Sequence, residues 1–178
     1  MPDAAPGDAW TDKLAIRELL ERYMRANDDG DVDAIAAMFD VDATFQVVGT
    51  VVVGRAAIRE FFAGTATHPN GRWTDDGGLF IQPRSIHVSS NPVIDVHGDA
   101  ATAETDFQVV QRDEDGHTVV ALVGRYRDRL RRLDDGSWAI TCRTGVSVAR
   151  PGEAGTDAEW QRAIARMPEE MRRNLRER

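Results

Sequence analysis

The side chains able to move protons are few. Four histidines stand at positions 68, 87, 97 and 117 and one cysteine at 142. No histidine pair has the short spacing of a metal site, and a lone cysteine cannot form an internal disulfide, so neither a metal nor a covalent staple is expected. What remains is acid–base chemistry. Tyr23, Asn27 and Asp28 lie near the end of one amphipathic stretch, and Asp29 follows directly. Arg143 sits among the small residues Thr141, Gly145 and Ser147 of a β-rich run, open either to solvent or to a cavity floor. His87 alternates with Ile86 and Val88, which places it on the less apolar parity of its run and, by pattern alone, toward solvent. An imidazole can accept and return a proton near neutral pH, and a phenol or guanidinium can donate to a developing oxyanion. Each also has a plain structural use: tyrosine at a polar rim, aspartate at a helix end, arginine on an exposed face.

These side chains need elements to hold them. Ile16, Leu19, Leu20, Tyr23 and Asn27 recur at helical spacing, with Thr11 suited to cap that helix and residues 28–30 to end it. Asp31 suits the cap of a second helix over about 32–39, followed by a turn at 40–43. Short β-rich runs at 44–48 and 50–53 precede a third helix with Ile58, Phe61 and Phe62 on its core side. Tyr23 and Asp28 are about 140° apart on an ideal helix, so both face one cavity only if the helix unwinds before Asp28. Residues 64–78 form a long irregular loop carrying Trp73, either an anchor or a ligand contact. Four long runs follow at 84–97, 100–112, 118–133 and 137–149, joined by hairpin signals that make them antiparallel. In the last run Trp138, Ile140, Cys142, Thr144, Val146 and Val148 share the packed parity. Helices first and a strand meander behind give an α+β domain.

The chain has 178 residues, enough for one sizeable core over 10–150. Residues 1–9 are expected to be unstructured. Residues 151–178 form a linker and a helical extension, in which Thr156 and Glu159 make a capping box and Trp160, Ile164, Met167, Met171 and Leu175 an apolar stripe interrupted by Pro168. That stripe must be covered, which favours a homo-oligomer. A formal net charge of −8 argues against nucleic acid or an anionic membrane as partner. Neither a leader segment nor an apolar run long enough for a membrane span is visible, so a cytoplasmic location is expected.

Several spaced motifs agree in order: Tyr-x₄-Asp-x-Gly-Asp at 23–31, Gly-Arg-x-x-Ile at 54–58, His-x₃-Asn-Pro at 87–92, Gly-Arg-Tyr-x-Asp at 124–128 and Trp-x-Ile-x-x-Arg at 138–143. Over about 10–150 this order resembles the SnoaL-like proteins of the nuclear transport factor 2-like superfamily, with scytalone dehydratase and ketosteroid isomerase. The resemblance implies a cone-shaped α+β barrel, its highly curved, mostly antiparallel sheet wrapped around N-terminal helices and enclosing an apolar cavity. It implies a histidine–aspartate dyad on His87 and Asp28, with Tyr23 and Arg143 as further catalytic residues and Phe45, Val47, Phe62, Trp73 and Phe107 around a small hydrophobic substrate. No cofactor is required. The activity it implies is a dehydratase or isomerase on a ring-containing hydroxy-carbonyl compound, steroid- or polyketide-like. Polyketide cyclisation, or a non-catalytic binding or assembly role, are the alternatives. An epoxide hydrolase built on Asp106 with Arg125 or Arg127 is weaker, lacking an obvious second acid. Relatives of this kind form dimers and trimers, and the dehydratase-like branch favours a trimer.

Overall fold

The computed structural model describes residues 6–47, 49–65 and 85–148. The expectations placed on 1–5, on Trp73 and its loop, and on the C-terminal extension fall outside the described residues. Three helices precede a six-stranded sheet: α1 (Pro6–Asp29), α2 (Val32–Ala37), β1 (Phe39–Val47), β2 (Thr50–Val53), α3 (Arg55–Thr65), β3 (Ser85–His97), β4 (Ala100–Arg112), β5 (Thr118–Arg132) and β6 (Trp138–Ser147). The sheet order is β2-β1-β6-β5-β4-β3, antiparallel except where β1 runs parallel to β6. The architecture is α+β, with a curved sheet against the N-terminal helices. It is not a closed barrel, because β2 and β3 remain as edges.

Three boundaries differ from those read from the sequence. α1 starts at Pro6 rather than near Thr11, since proline's fixed φ suits a first helical turn. Thr11, the expected cap, therefore lies inside the helix, and residues 6–9 are helical rather than unstructured. Asp12 accepts from Arg132 Nη1 at 2.7 Å, Arg132 Nη2 at 2.6 Å and Trp138 Nε1 at 3.2 Å, tying α1 to the sheet. α2 ends at Ala37, and the expected turn at 40–43 lies inside β1, where the register against β6 shifts between Phe39 and Thr44. Arg131 pairs there with the largely buried Asp40.

The end of α1 is fixed by its own backbone. Gly30 takes φ 66°, its N–H donates to Asn27 O at 3.1 Å, and Asp31 N donates to Ala26 O at 2.8 Å. That double closure needs a left-handed residue at position 30, which glycine supplies without strain. Asp31 then caps α2, accepting from Ala34 N at 3.1 Å.

The core lies between α1 and the concave face of the sheet. Ile16, Leu20, Tyr23 and Met24 of α1 meet Phe39, Phe45, Ile58, Leu130 and Ile140. Two irregularities decide which strand residues face it. In β3, Ser90 pairs with Asp106 and Val93 with Glu104, so Asn91 and Pro92 stand opposite Thr105 alone. In β6, Cys142 pairs with Arg129 but Ile140 with Leu130, which leaves Thr141 without a strand partner. One extra residue reverses the alternation of a strand from that point.

Candidate functional site

The Gly30 turn holds Asp28 one residue inside the helix end, and α1 stays helical through Asp29. No unwinding is needed for Tyr23 and Asp28 to be buried together, at 1% and 4% exposure, because the curved sheet reaches around the helix on both sides. Asp28 meets β3 and Tyr23 meets β5 and β6.

Asp28 grips His87 twice. Its Oδ1 lies 2.7 Å from His87 Nδ1 and 2.9 Å from the His87 backbone N, while Oδ2 lies 3.1 Å from the same backbone N. A carboxylate oxygen accepts, so Nδ1 is the ring nitrogen that donates to it, and in a neutral imidazole so held Nε2 keeps the lone pair. The backbone N–H belongs to an edge strand and points away from β4, which is why a helix side chain can take it. The imidazole is 18% exposed and the carboxylate 5%. His87 thus faces the concave side, against the outward reading from its alternation, and Ile86 and Val88 face out.

Beneath lies a second charged pair. Arg143 Nε donates to Asp128 Oδ1 at 2.7 Å and its Nη2 to Asp128 Oδ2 at 2.9 Å, with both side chains at 0% exposure. The guanidinium carbon sits 3.9 Å over the ring of Tyr23 and 4.5 Å over that of Tyr126. Nη1 has no hydrogen-bond acceptor among the described residues, and the guanidinium lies in the angle between the two rings, which stand 80° apart. Burial works against the arginine's charge, but the Asp128 carboxylate outweighs it and holds the guanidinium protonated. Burial pushes the Tyr23 hydroxyl upward from its ordinary pKa, opposed by Arg143 and by a hydrogen bond with Asn27. Burial pushes Tyr126 upward as well, and the neighbouring Tyr23 adds to it.

The predicted catalytic residues therefore fall into two layers. His87 and Asp28 are together with the imidazole partly open; Tyr23 and Arg143 are together but sealed. The layers are joined by rings: Phe107 stacks on Tyr126 at 4.3 Å and lies 6.5 Å from the His87 ring. That stack exists because residue 124, opposite Phe107 on β5, is glycine; a Cβ there would stand 2.6 Å from Phe107 Cζ and 2.7 Å from Val146 O.

Of the predicted substrate contacts among the described residues, Phe107 is the one placed against His87, and Trp73 lies outside them. Phe45 and Phe62 pack on each other at 5.1 Å and on Phe39, Phe61 and Tyr23, as core rather than open wall. Val47 is half-buried against that core. Asp106 and Arg125 form a 2.6 Å ion pair on the outer face, with side chains 37% and 49% exposed, away from the concave side that an epoxide site would use. Arg127 pairs with Glu104 on the same outer face.

Asp128 and Tyr126 are the residues whose roles the sequence reading missed. Their signal was present: between Arg125, Arg127 and Arg129, one parity of β5 reads Gly124, Tyr126, Asp128, Leu130. No cluster of three or more possible metal ligands occurs among the described residues, and no helix among them is long and apolar enough to cross a membrane.

Solved structures share this arrangement of elements. Rv3472 from Mycobacterium tuberculosis, a protein of unknown function, is 25% identical with a TM-score of 0.68, covering 92% of this chain and 93% of its own. An NTF2-like protein with a cystatin-like fold from Novosphingobium aromaticivorans is 26% identical with a TM-score of 0.66, over 89% and 97%. A protein from the same organism assigned as a scytalone dehydratase is 21% identical with a TM-score of 0.61, over 79% and 86%, a likeness of fold. No curated protein sequence matches the chain. The SnoaL-like domain family matches residues 8–144, from the start of α1 into β6 and so across nearly all the elements described above, and the chain belongs to that family.

Proposed function

We propose that the protein is a cofactor-independent lyase or isomerase, most concretely a dehydratase acting on a hydrophobic, ring-containing hydroxy-carbonyl compound. The observation that carries this reading is the double grip of Asp28 on His87, which leaves Nε2 as the one ring nitrogen able to take a proton. In the reaction, Nε2 removes the proton from the carbon beside the carbonyl, and the electron pair moves onto the carbonyl oxygen as an enolate. The imidazolium, stabilised by Asp28, then returns its proton to the β-hydroxyl, which leaves as water while the enolate collapses to the unsaturated carbonyl. Atoms balance without a redox partner. The neighbouring Phe107 supplies an apolar surface for a ring and keeps water from the imidazole.

Tyr23 and Arg143 act in this reading as positioning residues. Their interlocked ring and guanidinium keep the floor under Phe107 rigid, and neither is open to a substrate oxygen in the arrangement described. That sealing also favours the second reading, a binding module of the same fold without turnover.

The test is turnover of polycyclic β-hydroxy ketones, followed as loss of water by mass spectrometry. Replacing His87 by Ala is expected to lower kcat by roughly 10²–10⁴-fold with little change in Tm, and Asp28→Asn to lower it through the imidazole's orientation. Unchanged turnover in His87→Ala disposes of the catalytic reading. Binding without turnover in the wild type supports the second one.

A further inference from the structure

The convex face of the sheet carries an apolar patch that the candidate site does not use. Ile86, Val110 and Val120 lie on one rung across β3, β4 and β5, and Val88, Gln108 and Val123 on the next. Val148 adjoins them, its N–H donating to Val123 O at 2.8 Å. Ile86, Val88, Val120, Val123 and Val148 are 42–67% exposed. Single exposed aliphatic residues are ordinary, but five on adjoining rungs form a patch of the kind that marks a docking surface. The patch runs into a groove of about 710 Å³ on the same face, bounded by Arg125, Arg127, Thr144 and Val146, with Val123 and Val148 in its lining.

We propose that the occupant of this face is the chain's own segment 156–167, docked as an amphipathic helix with Trp160, Ile164 and Met167 on the patch. Three observations favour that occupant. The chain leaves β6 at Val148, itself part of the patch, so the linker to the segment starts on the proposed seat. The seven residues 149–155 can span at most roughly 23 Å, enough to reach any part of a four-strand face about 14 Å across. From the capping box at Thr156 to Met167, just before Pro168, a helix is about 18 Å long, which matches that width. A linker of this length also places the segment at roughly millimolar effective concentration over its own sheet, which favours it over a separate copy. The proposal stands independently of the reaction assigned to His87.

Hydrogen exchange of the full-length protein, read by mass spectrometry, tests it. Amides of 158–167 are expected to be protected by about tenfold or more over an unstructured chain, independently of protein concentration. Val123→Asp, on the exposed face, and Ile164→Asp, on the segment, should each remove that protection while near-ultraviolet circular dichroism of the core is retained. An unprotected segment in the wild type overturns the proposal, and so does protection that survives Val123→Asp. Protection that falls on dilution together with the molecular mass assigns the segment to a neighbouring subunit's face. Loss of an oligomer in Val123→Asp, with the segment unprotected throughout, assigns the face to a second copy; either result overturns the intramolecular seat.

Discussion

Removing Arg143 alone should destabilise the protein far more than removing Arg143 and Asp128 together. Both side chains have no exposure, and two hydrogen bonds of 2.7 and 2.9 Å join them. In Arg143→Met the Asp128 carboxylate stays buried without a counter-charge, a situation that costs about 3–5 kcal/mol. For a chain of this size that corresponds to a fall in Tm of roughly 6–20 °C. In the double variant Arg143→Met, Asp128→Leu no charge is stranded, and apolar replacements of buried pairs are often neutral or better. Some loss remains, because the guanidinium also stacks on Tyr23 and Tyr126, and a desolvated cation over an aromatic ring contributes about 2 kcal/mol. The double variant should therefore unfold within about 2 kcal/mol of the wild type, with a coupling of at least about 3 kcal/mol between the two sites. Urea unfolding of the four proteins at neutral pH measures each corner of the cycle. A cost below about 1 kcal/mol for Arg143→Met would show that the pair is solvated, and the two-layer description of the site would fail. A double variant that is stable yet binds or turns over nothing would show that the pair is kept for the floor it builds under Phe107.

Two further outcomes follow from the same layer. Gly124→Ala would set a Cβ 2.6 Å from the Phe107 ring and 2.7 Å from Val146 O; the ring can turn but the backbone cannot, so a loss of about 1–3 kcal/mol is expected, read as a lower Tm with a changed near-ultraviolet signal. An unchanged Tm there would refute the packing argument. Tyr23 and Tyr126 are the chain's two tyrosines, and burial raises the pKa of both. A raised folded pKa contributes stability that is full below the unfolded value of about 10 and is lost as pH climbs past it. Phenolate absorbance should therefore appear together with alkaline unfolding, and a tyrosine that ionises in the folded chain would contradict the sealed layer.

How far this arrangement was legible depended on where local rules were sufficient. The helices, the hairpin turns and the span of the last four strands follow from periodicity and from Gly and Asp at the breaks, all of which act within a few residues. The alternation of β4 also held, with Ala101, Ala103, Thr105 and Phe107 all inward. α1 kept its helix through Asp29 despite Asp-Asp-Gly, because the Gly30 closure satisfies the last carbonyls and ends the helix later than aspartate propensity suggests.

The inward placing of His87 was hidden for a specific reason. Apart from Val93, the aliphatic residues of β3 occupy even positions, Ile86, Val88, Ile94 and Val96, which reads as one packed face with His87 opposite it. The irregularity at Asn91 and Pro92 splits that set: Ile94 and Val96 turn to the core, Ile86 and Val88 to the convex face, and His87 with Ser89 to the concave one. Proline cannot donate to a ladder, and Asn91 has φ 51°, so the break had a visible mark in the Asn-Pro pair. In β6 the same reversal at Thr141 turns Arg143 inward after Trp138 and Ile140, and there no proline or glycine announces it. The two reversals matter together. One sets the imidazole beside Asp28 and the other sets the guanidinium beside Asp128, so both charged pairs of the interior are products of interrupted alternation. A regular β3 would have presented His87 to solvent and a regular β6 would have done the same to Arg143; Asp28 and Asp128 would then have been buried without these partners.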